Sequence, residues 1–573
     1  MSITITRRGS EPHQLPAGLH PVLARIYAAR GIHDATDLER SLSRLQPFAG
    51  LKGMDAAVDL LAASLRAQQR ILIVGDFDAD GATSTAVAVR ALRAMGATQV
   101  DYLVPNRFEF GYGLTPEIVA VAAQRSPDLL ITVDNGISSI EGVAAAKARG
   151  MKVLVTDHHL AGAELPVADA IVNPNQPGDG FASKSLAGVG VIFYVMLALR
   201  ARLREQDGFA DRPEPNLAAL LDLVALGTVA DVVTLDHNNR ILVAQGLMRI
   251  RQGQGCPGIA ALIQVSGRNQ RELMAADLGF ALGPRLNAAG RLEDMALGIE
   301  CLLADDPDAA LLLAQRLNEL NAERRQIEQE MKEQALALLD EMALSEDDDN
   351  LPVGLCLYDP DWHQGVIGIL ASRIKDKLHR PVIVFADAGG YLKGSARSVP
   401  GLHIRDALDA VATQHPGLLT KFGGHAMAAG LSLATNDLEK FRAAFDAEVR
   451  RHLGPADLCK ELQSDGELAE GDLCLSMAEQ LRAAGPWGQG FPEPLFDGTF
   501  EVVNRRIIGE RHLKLMLRLP SSRQVIDAIA FNTVDDDWPA EVRAVQVAYR
   551  LDVNEYNGRR SAQLLVEYIS AEP

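Results

Sequence analysis

Three aspartates at alternate positions, Asp76, Asp78 and Asp80, follow the run Ile71-Leu-Ile-Val-Gly75. The run is apolar and mostly β-branched, which predicts a buried strand, and from Ala82 the chain turns helical. In a strand–loop–helix unit of an open α/β sheet, ligands bind at the carboxyl end of the strand. Carboxylates gathered there repel one another by about 4 kcal/mol per pair at ~4 Å and an effective dielectric of ~20. A divalent cation is the economical counter-charge. The same spacing opens an EF-hand calcium loop, but that loop needs Glu at its last position, where this chain has Val87, and here a strand precedes. A solvated acidic turn is the plainer alternative, and it weakens as the next strands are read.

After Leu129-Leu-Ile-Thr-Val comes Asp134-Asn-Gly, and after Lys152-Val-Leu-Val-Thr comes Asp157-His158-His159. Strand-like runs at Ile71–Val74, Gln99–Val104, Leu129–Val133, Lys152–Thr156 and Ala170–Val172 alternate with helical segments. That alternation predicts a mainly parallel sheet covered on both faces. Parallel strands end on one rim, so these acids and imidazoles would converge there. Asp231, in Leu226-Gly-Thr-Val-Ala-Asp-Val-Val, follows an apolar helix and is a fourth contributor. Singly, Asp134-Asn-Gly also reads as a turn, and a His after a strand as a packed core residue. Jointly, three acid-rich strand ends point to a metal centre. Imidazole and carboxylate donors without thiolate favour manganese or magnesium. The donors exceed one ion's requirement, and two ions about 3.5–4 Å apart are the usual device for in-line displacement at phosphorus.

The chain has 573 residues, enough for several domains with their own cores. Its net charge of −19 argues against general coating of a polyanion, so basic residues that meet nucleic acid must be gathered locally. Five scattered cysteines fit reduced thiols and a cytoplasmic setting. The first residues hold no apolar signal core, and the longest apolar run, Leu186 to Leu199, is short of the ~20 residues that cross a bilayer, so no membrane is expected.

Patterning divides the chain into an N-terminal wrap (1–53), a catalytic α/β domain (54–300), a long connecting helix (301–345), a second α/β domain (346–455) and a small antiparallel barrel (456–573). The wrap carries one helix pattern, from Pro21 to Gly31. The long helix starts at Pro307 with Asp306 as cap, and Leu313, Leu317, Leu320, Ile327, Met331 and Leu338 keep helical spacing. Arg324 and Gln334 interrupt that seam, which favours an intramolecular strut and a monomer over a coiled-coil dimer. In the second domain, small residues around Arg397 (Lys393-Gly-Ser-Ala-Arg-Ser398) and His425 (Phe422-Gly-Gly-His-Ala-Met) would let the backbone approach a phosphate. The barrel gathers Arg505, Arg506, Arg511, Lys514, Arg518, Arg550, Arg559 and Arg560.

Asp76-x-Asp78-x-Asp80-Gly, Asp134-Asn-Gly, Asp157-His-His and Gly227-Thr-Val-Ala-Asp231, in this order, resemble the motifs of the DHH phosphoesterase superfamily. Pro105–Leu114 and Gly283–Leu292 are similar to segments of its bacterial single-strand-specific exonucleases. The resemblance implies a DHH domain, a DHHA1-type domain that closes the substrate cleft, and an OB-fold whose groove holds single strands by charge and stacking. It implies a metal-dependent exonuclease of DNA recombination and repair that removes 5′-mononucleotides from single-stranded DNA, 5′ to 3′. Two divalent cations, Mn2+ or Mg2+, would be held by Asp76 with Asp78, and by Asp80, His158 and Asp231, with Asp134 bridging. His159 would stabilise charge on the phosphate, and Asp157 would orient an imidazole. Ser395, Arg397, Arg285 and Arg107 would meet the 5′ phosphate. Asn287, Arg291, His425, Lys514 and Arg518 would contact DNA, and Tyr112 or Phe108 would stack a base. A single-strand-binding protein and a RecQ-type helicase are the implied partners. A small-substrate DHH phosphodiesterase and a non-catalytic replication scaffold are the rival readings. The basic barrel speaks against the first, and the intact acid and histidine set against the second.

Overall fold

After β1 (Ile3–Arg7), the sheet that carries the acid-rich ends is built from β2 (Ile71–Gly75), β3 (Val100–Leu103), β4 (Leu129–Val133), β5 (Lys152–Thr156) and β6 (Ala170–Val172). They form one parallel sheet in the order β3-β2-β4-β5-β6. Every residue of β2 and β4 is buried, because helices cover both faces, and so both read as unbroken apolar runs. Register does the positioning. Gly75 stands opposite Val133, and Val133 opposite Thr156. The next residues, Asp76, Asp134 and Asp157, therefore leave neighbouring strands side by side, at a strand spacing of about 4.8 Å. This is the α/β sheet the sequence predicts. In the computed structural model, residues 3–571 are described except 10–13, 17, 107–109, 111–112, 346–351, 510, 521, 532 and 534–541.

The helix Ala79–Ala94 starts at the rim, with Asp78 as its cap: the Gly81 amide donates to Asp78 Oδ1 at 3.0 Å. Its first eleven residues, mainly Ala, Gly, Ser, Thr and Val, are buried all round, and it packs on the helices Gly188–Glu205 and Leu221–Ala230. By contact the chain falls into two units, Arg7–Leu320 with Ser464–Pro573, and Met1–Thr6 with Asn321–Gln463. The barrel thus shares a unit with the catalytic sheet. The N-terminal helix, Pro21–Ala28, explains part of this. Its Tyr27 hydroxyl donates to Ala484 O at 2.9 Å, and the ring stacks on Trp487 and Phe491. Arg30 pairs with Asp465 at 2.6 Å, both side chains only 1 % exposed. The segment expected to wrap the catalytic domain also grips the stretch that leads into the barrel.

The long helix spans Pro307–Ser345 and carries the chain from one unit into the other; Asp306 Oδ2 accepts from the Ala309 amide at 3.2 Å. In the unit containing Asn321–Gln463, β7 (Leu355–Tyr358), β8 (Val382–Asp387), β9 (Tyr391–Arg397), β10 (Lys421–Gly424) and β11 (Ala428–Ala434) form a mixed sheet, ordered β10-β11-β9-β8-β7. Met331, Ala335 and Leu339 of the long helix enter this unit's core with Leu370 and Ile374. Leu338 lies only at its edge. The two residues expected to break the seam are satisfied locally: Arg324 pairs with Glu328 and donates to Asn321 Oδ1, and Gln334 Oε1 accepts from the Trp362 indole at 2.8 Å. β12 (Lys460–Ser464) pairs with β1. Finally β13 (Phe496–Ile508), β14 (His512–Arg518), β15 (Val525–Ala530), β16 (Ala544–Tyr556) and β17 (Arg559–Ala571) close a barrel in the order β13-β14-β15-β17-β16. Leu513, Leu515 and Leu517 point inward, as their alternation predicts. Among the described residues no helix is long and apolar enough to cross a membrane.

Candidate metal centre

The rim brings together residues far apart in the chain. His158 Nε2 lies 3.1 Å from Asp134 Oδ1 and 3.4 Å from Asp231 Oδ2. Three overlapping sets, Asp76–Asp78–Asp134, Asp80–His158–Asp231 and Asp134–His158–His159, each place one donor atom per residue within 4.8 Å of the others. Asp157 is in none of them. One of its oxygens accepts from the His158 and His159 amides and faces His159 Nδ1 at 2.7 Å, and the other accepts from the Ile137 amide. Its carboxylate thus lies against the His159 ring. Burial opposes the charge on both members of that pair. Their mutual hydrogen bond and attraction outweigh it, holding the Asp157 carboxyl below and the His159 imidazole above its ordinary value.

The remaining acids are crowded. Burial first, then Asp78, pushes the Asp80 carboxyl up to about 7. Burial and the surrounding carboxylates push Asp134 and Asp231 well above the usual range. At neutral pH such a cluster stays ionised only with positive charge inside it. The buried Oδ2 of Asp231 accepts no hydrogen bond among the described residues, as a ligand atom awaiting an ion would. Oxygen and imidazole donors in these numbers fit two hard divalent cations.

Several supports carry no acid, and of these the sequence singles out only Asn135, within Asp134-Asn-Gly. The buried Asn135 amide donates to Val74 O and Val133 O, tying the ends of β2 and β4. Asn173 and Asn175 donate to the carbonyls of His159 and His158, at 3.0 and 2.6 Å. For Asn173 and Asn175 the sequence signal is an Asn-Pro-Asn directly after β6.

The motif of the DHH family, N-terminal domain, matches residues 70–228, that of the DHHA1 domain 352–451, and that of the RecJ OB domain 464–568. The chain is 56 % identical over 569 residues to the single-stranded-DNA-specific exonuclease RecJ of Dickeya dadantii, covering 99 % of this chain and 98 % of that one. With its Escherichia coli counterpart it shares 54 % over 567 residues, 98 % of each. The chain belongs to the RecJ family. The crystal structure of Thermus thermophilus RecJ with Mn2+ superposes with a TM-score of 0.82 at 32 % identity, covering all of this chain and 80 % of that one. The same protein has also been solved with Mg2+, at a TM-score of 0.76 and 30 % identity, covering 100 % of this chain and 79 % of that one.

The segments that look RecJ-like outside the metal cluster divide by role. In the helix Gly283–Leu292, Asn287 Oδ1 accepts from the Ala79 amide at 2.7 Å, and a Cβ on Gly290 would stand 1.9 Å from Phe77 O. This helix lies flush against the aspartate loop and braces it, so Asn287 has a structural partner where a DNA contact was expected. Arg285 is likewise buried, donating to Asn318 Oδ1 at 3.0 Å and Ala281 O at 2.6 Å. Arg291 is half-buried at the helix end. Arg107, Phe108 and Tyr112 lie outside the described residues.

Ser395 and Arg397 sit on β9, in a regular strand. Arg397 Nη1 donates to Ala396 O and to Ser395 Oγ, at 2.8 and 3.2 Å. Gly368, in the first turn of the helix Ile367–Leu378, is so close that a Cβ there would stand 2.9 Å from Ser395 Oγ and 3.0 Å from Arg397 Nη2. A guanidinium, a hydroxyl and a helix N-terminus thus meet in one place, which suits an anion. Exposed His425 lies at the turn between β10 and β11, its amide donating to Ala428 O at 2.8 Å. On the barrel, Lys514 faces Asp527 at 3.4 Å and Arg518 donates to Glu501 at 2.9 Å, so part of the expected basic face is neutralised. Arg506, Arg511 and Arg559 are exposed.

Proposed function

We propose that this chain is a divalent-cation-dependent exonuclease that hydrolyses single-stranded DNA to 5′-mononucleotides in the 5′ to 3′ direction, serving DNA recombination and repair. The convergence of Asp76, Asp78, Asp80, Asp134, His158 and Asp231 on one sheet rim carries the reading. These residues would hold two ions, Mn2+ or Mg2+. When bound, the cations supply charge neutralisation and nucleophile activation for in-line displacement at phosphorus. Asp134 sits between the two donor sets and would orient both. Asp157 fixes His159 through Nδ1, so its ring can face the negative charge that builds on the non-bridging oxygens. In the other unit, Arg397 and Ser395 would hold the 5′ phosphate, with His425 beside the strand. The exposed arginines of the barrel would track the backbone of the strand. We assign the chain to the cytoplasm as a monomer, working with a single-strand-binding protein and a RecQ-type helicase.

Digestion of end-labelled strands tests this directly. Single strands with a 5′ phosphate should be shortened from that end only when Mn2+ or Mg2+ is present. A 5′ hydroxyl should slow the reaction, and a blunt duplex should resist it. Release of nucleotides from the 3′ end, or equal digestion in chelator, overturns the assignment.

A further inference from the structure

None of the acids or histidines of the rim lines a cavity of about 440 Å³ inside the unit made of Arg7–Leu320 and Ser464–Pro573. Its walls come from the helices Leu221–Ala230 and His237–Arg251, the π-helical turn Leu278–Leu282 and the segment 482–493. Val229, Val233, Leu247, Met274, Pro486 and Trp487 make it apolar, and Phe280, 80 % exposed, marks its mouth. The walls are tied to one another. The Leu235 amide donates to Gln489 O at 2.7 Å, and a Cβ on Gly488 would stand 2.7 Å from Leu235 Cδ1. The cavity is therefore preformed, and its volume is within the ~300–1,000 Å³ of small-molecule sites.

Arg40, Arg251, Arg482 and Glu493 carry charge into this lining, and two of them are already neutralised. Arg482 Nε donates to Asp552 Oδ1 at 2.6 Å, and Glu493 Oε2 accepts from Arg550 Nη1 at 2.8 Å. Arg40 and Arg251 have no carboxylate partner among the described residues. Arg40 donates to the carbonyls of Ala483 and Ala484, and Arg251 Nε to Leu273 O at 2.8 Å, which leaves both Nη atoms of Arg251 without a hydrogen bond among the described residues. A third guanidinium, of buried Arg240, donates to Asp37 O at 3.1 Å and stands 4.3 Å from the centre of the Phe491 ring, again without a carboxylate partner among the described residues. Burial and the charge of Arg40 hold the Arg251 guanidinium below its ordinary value. Desolvated cations are normally paired, and in a chain of net charge −19 acids are plentiful, so three unpaired arginines beside one cavity call for a bound anion.

We propose that this cavity is a second, non-catalytic site for a nucleoside 5′-monophosphate, with the base among the aliphatic walls and the phosphate on Arg251 and Arg40. A guanidinium fork matches phosphate oxygens, and an apolar slot of this size covers a flat base. The choice of ligand rests on the exonuclease reading, because each cut would release one such molecule. The cavity and its unpaired charge do not depend on that reading.

Calorimetric titration of the full chain in chelator, with deoxyadenosine 5′-monophosphate, tests the site. The Arg397→Ala chain is used, so that the anion site on β9 does not contribute. One equivalent should bind. Adding Arg251→Ala should weaken binding at least about tenfold, and adding Ala244→Phe, which fills the cavity from the helix His237–Arg251, should abolish it. Deoxyadenosine and inorganic phosphate, each with half of the contacts, should bind at least about tenfold more weakly than the nucleotide. Hydrogen exchange of the unaltered chain needs no variant to fold. Amides over 229–247 should slow at least about twofold with the nucleotide and not with deoxyadenosine. Absence of binding, unchanged affinity in Arg251→Ala, or inorganic phosphate bound as tightly as the nucleotide overturns the proposal. An acidic peptide that slows these amides where the nucleotide does not also overturns it, and makes the cavity a protein-docking site. The titration needs neither metal nor turnover. Nucleotide bound by a chain that digests no strand sinks the exonuclease reading alone, and digestion with the cavity empty sinks this proposal alone.

Discussion

At the scale of single residues, the centre is a problem of charge that geometry makes acute. Asp134 is 2 % exposed, left-handed and surrounded by other carboxylates. Asp134→Asn keeps the shape, tolerates the same backbone conformation and removes the charge. It should cut hydrolysis by at least about a thousandfold, while the metal-free chain melts at or above the unaltered temperature. Retained turnover would reject a bridging role. The metal-free chain should also report the crowding through pH. An acid whose pKa is raised on folding binds more protons in the native than in the unfolded state between its two pKa values, so stability falls as pH rises across that window. For Asp80 the window runs from the ordinary carboxyl value of 3.8 up to about 7, and Asp134 and Asp231 extend it in the same direction. In chelator, the melting temperature should decline from about pH 5 to about pH 8, and saturating Mn2+ should remove the decline. A flat metal-free profile rejects this account of the cluster.

At the scale of elements, two segments with the look of ligand-binding motifs turn out to do different work. The helix Gly283–Leu292 braces the aspartate loop through Asn287 and the close pass of Gly290. Asn287→Ala should therefore destabilise by about 1–3 kcal/mol and lower kcat, with DNA affinity in the absence of metal unchanged. A loss of affinity with normal stability would restore it as a DNA contact. The barrel presents the opposite case. Its Lys514 and Arg518 spend charge on Asp527 and Glu501, whereas Arg506 and Arg511 are exposed. Arg506→Ala and Arg511→Ala should each lower the salt slope of binding to a long single strand by about 0.7. Arg518→Ala should change it less, and equal effects would remove the distinction.

At the scale of the whole chain, the barrel is not an appendage. Asp465 is buried against Arg30, and Ala484, Trp487 and Phe491 receive Tyr27, so the segment before the barrel completes the unit that holds the metal centre. Cutting the chain after Lys460 should yield insoluble or unfolded protein, and not a trimmed exonuclease with weaker grip. Asp465→Ala in the full chain should cost about 3–5 kcal/mol by stranding Arg30, with kcat near the unaltered value wherever the protein is folded. A soluble, active truncation would show that the two parts are independent.

Much of the centre was legible in the residues themselves. Apolar runs that end in Asp76, Asp134 and Asp157-His-His declare parallel strands with a common rim, because side chains buried on both faces leave no other periodicity, and that rim is where a parallel sheet exposes its loops. The alternation in the barrel and the capped start at Pro307 were local in the same sense. Sequence could not tell a brace from a DNA contact. Spacing along a chain carries no record of which amide, guanidinium or carbonyl another element brings alongside. Asn287 acquires its role from Ala79, and Arg30 from Asp465. Each partnership spans a hundred residues or more, so only packing decides it.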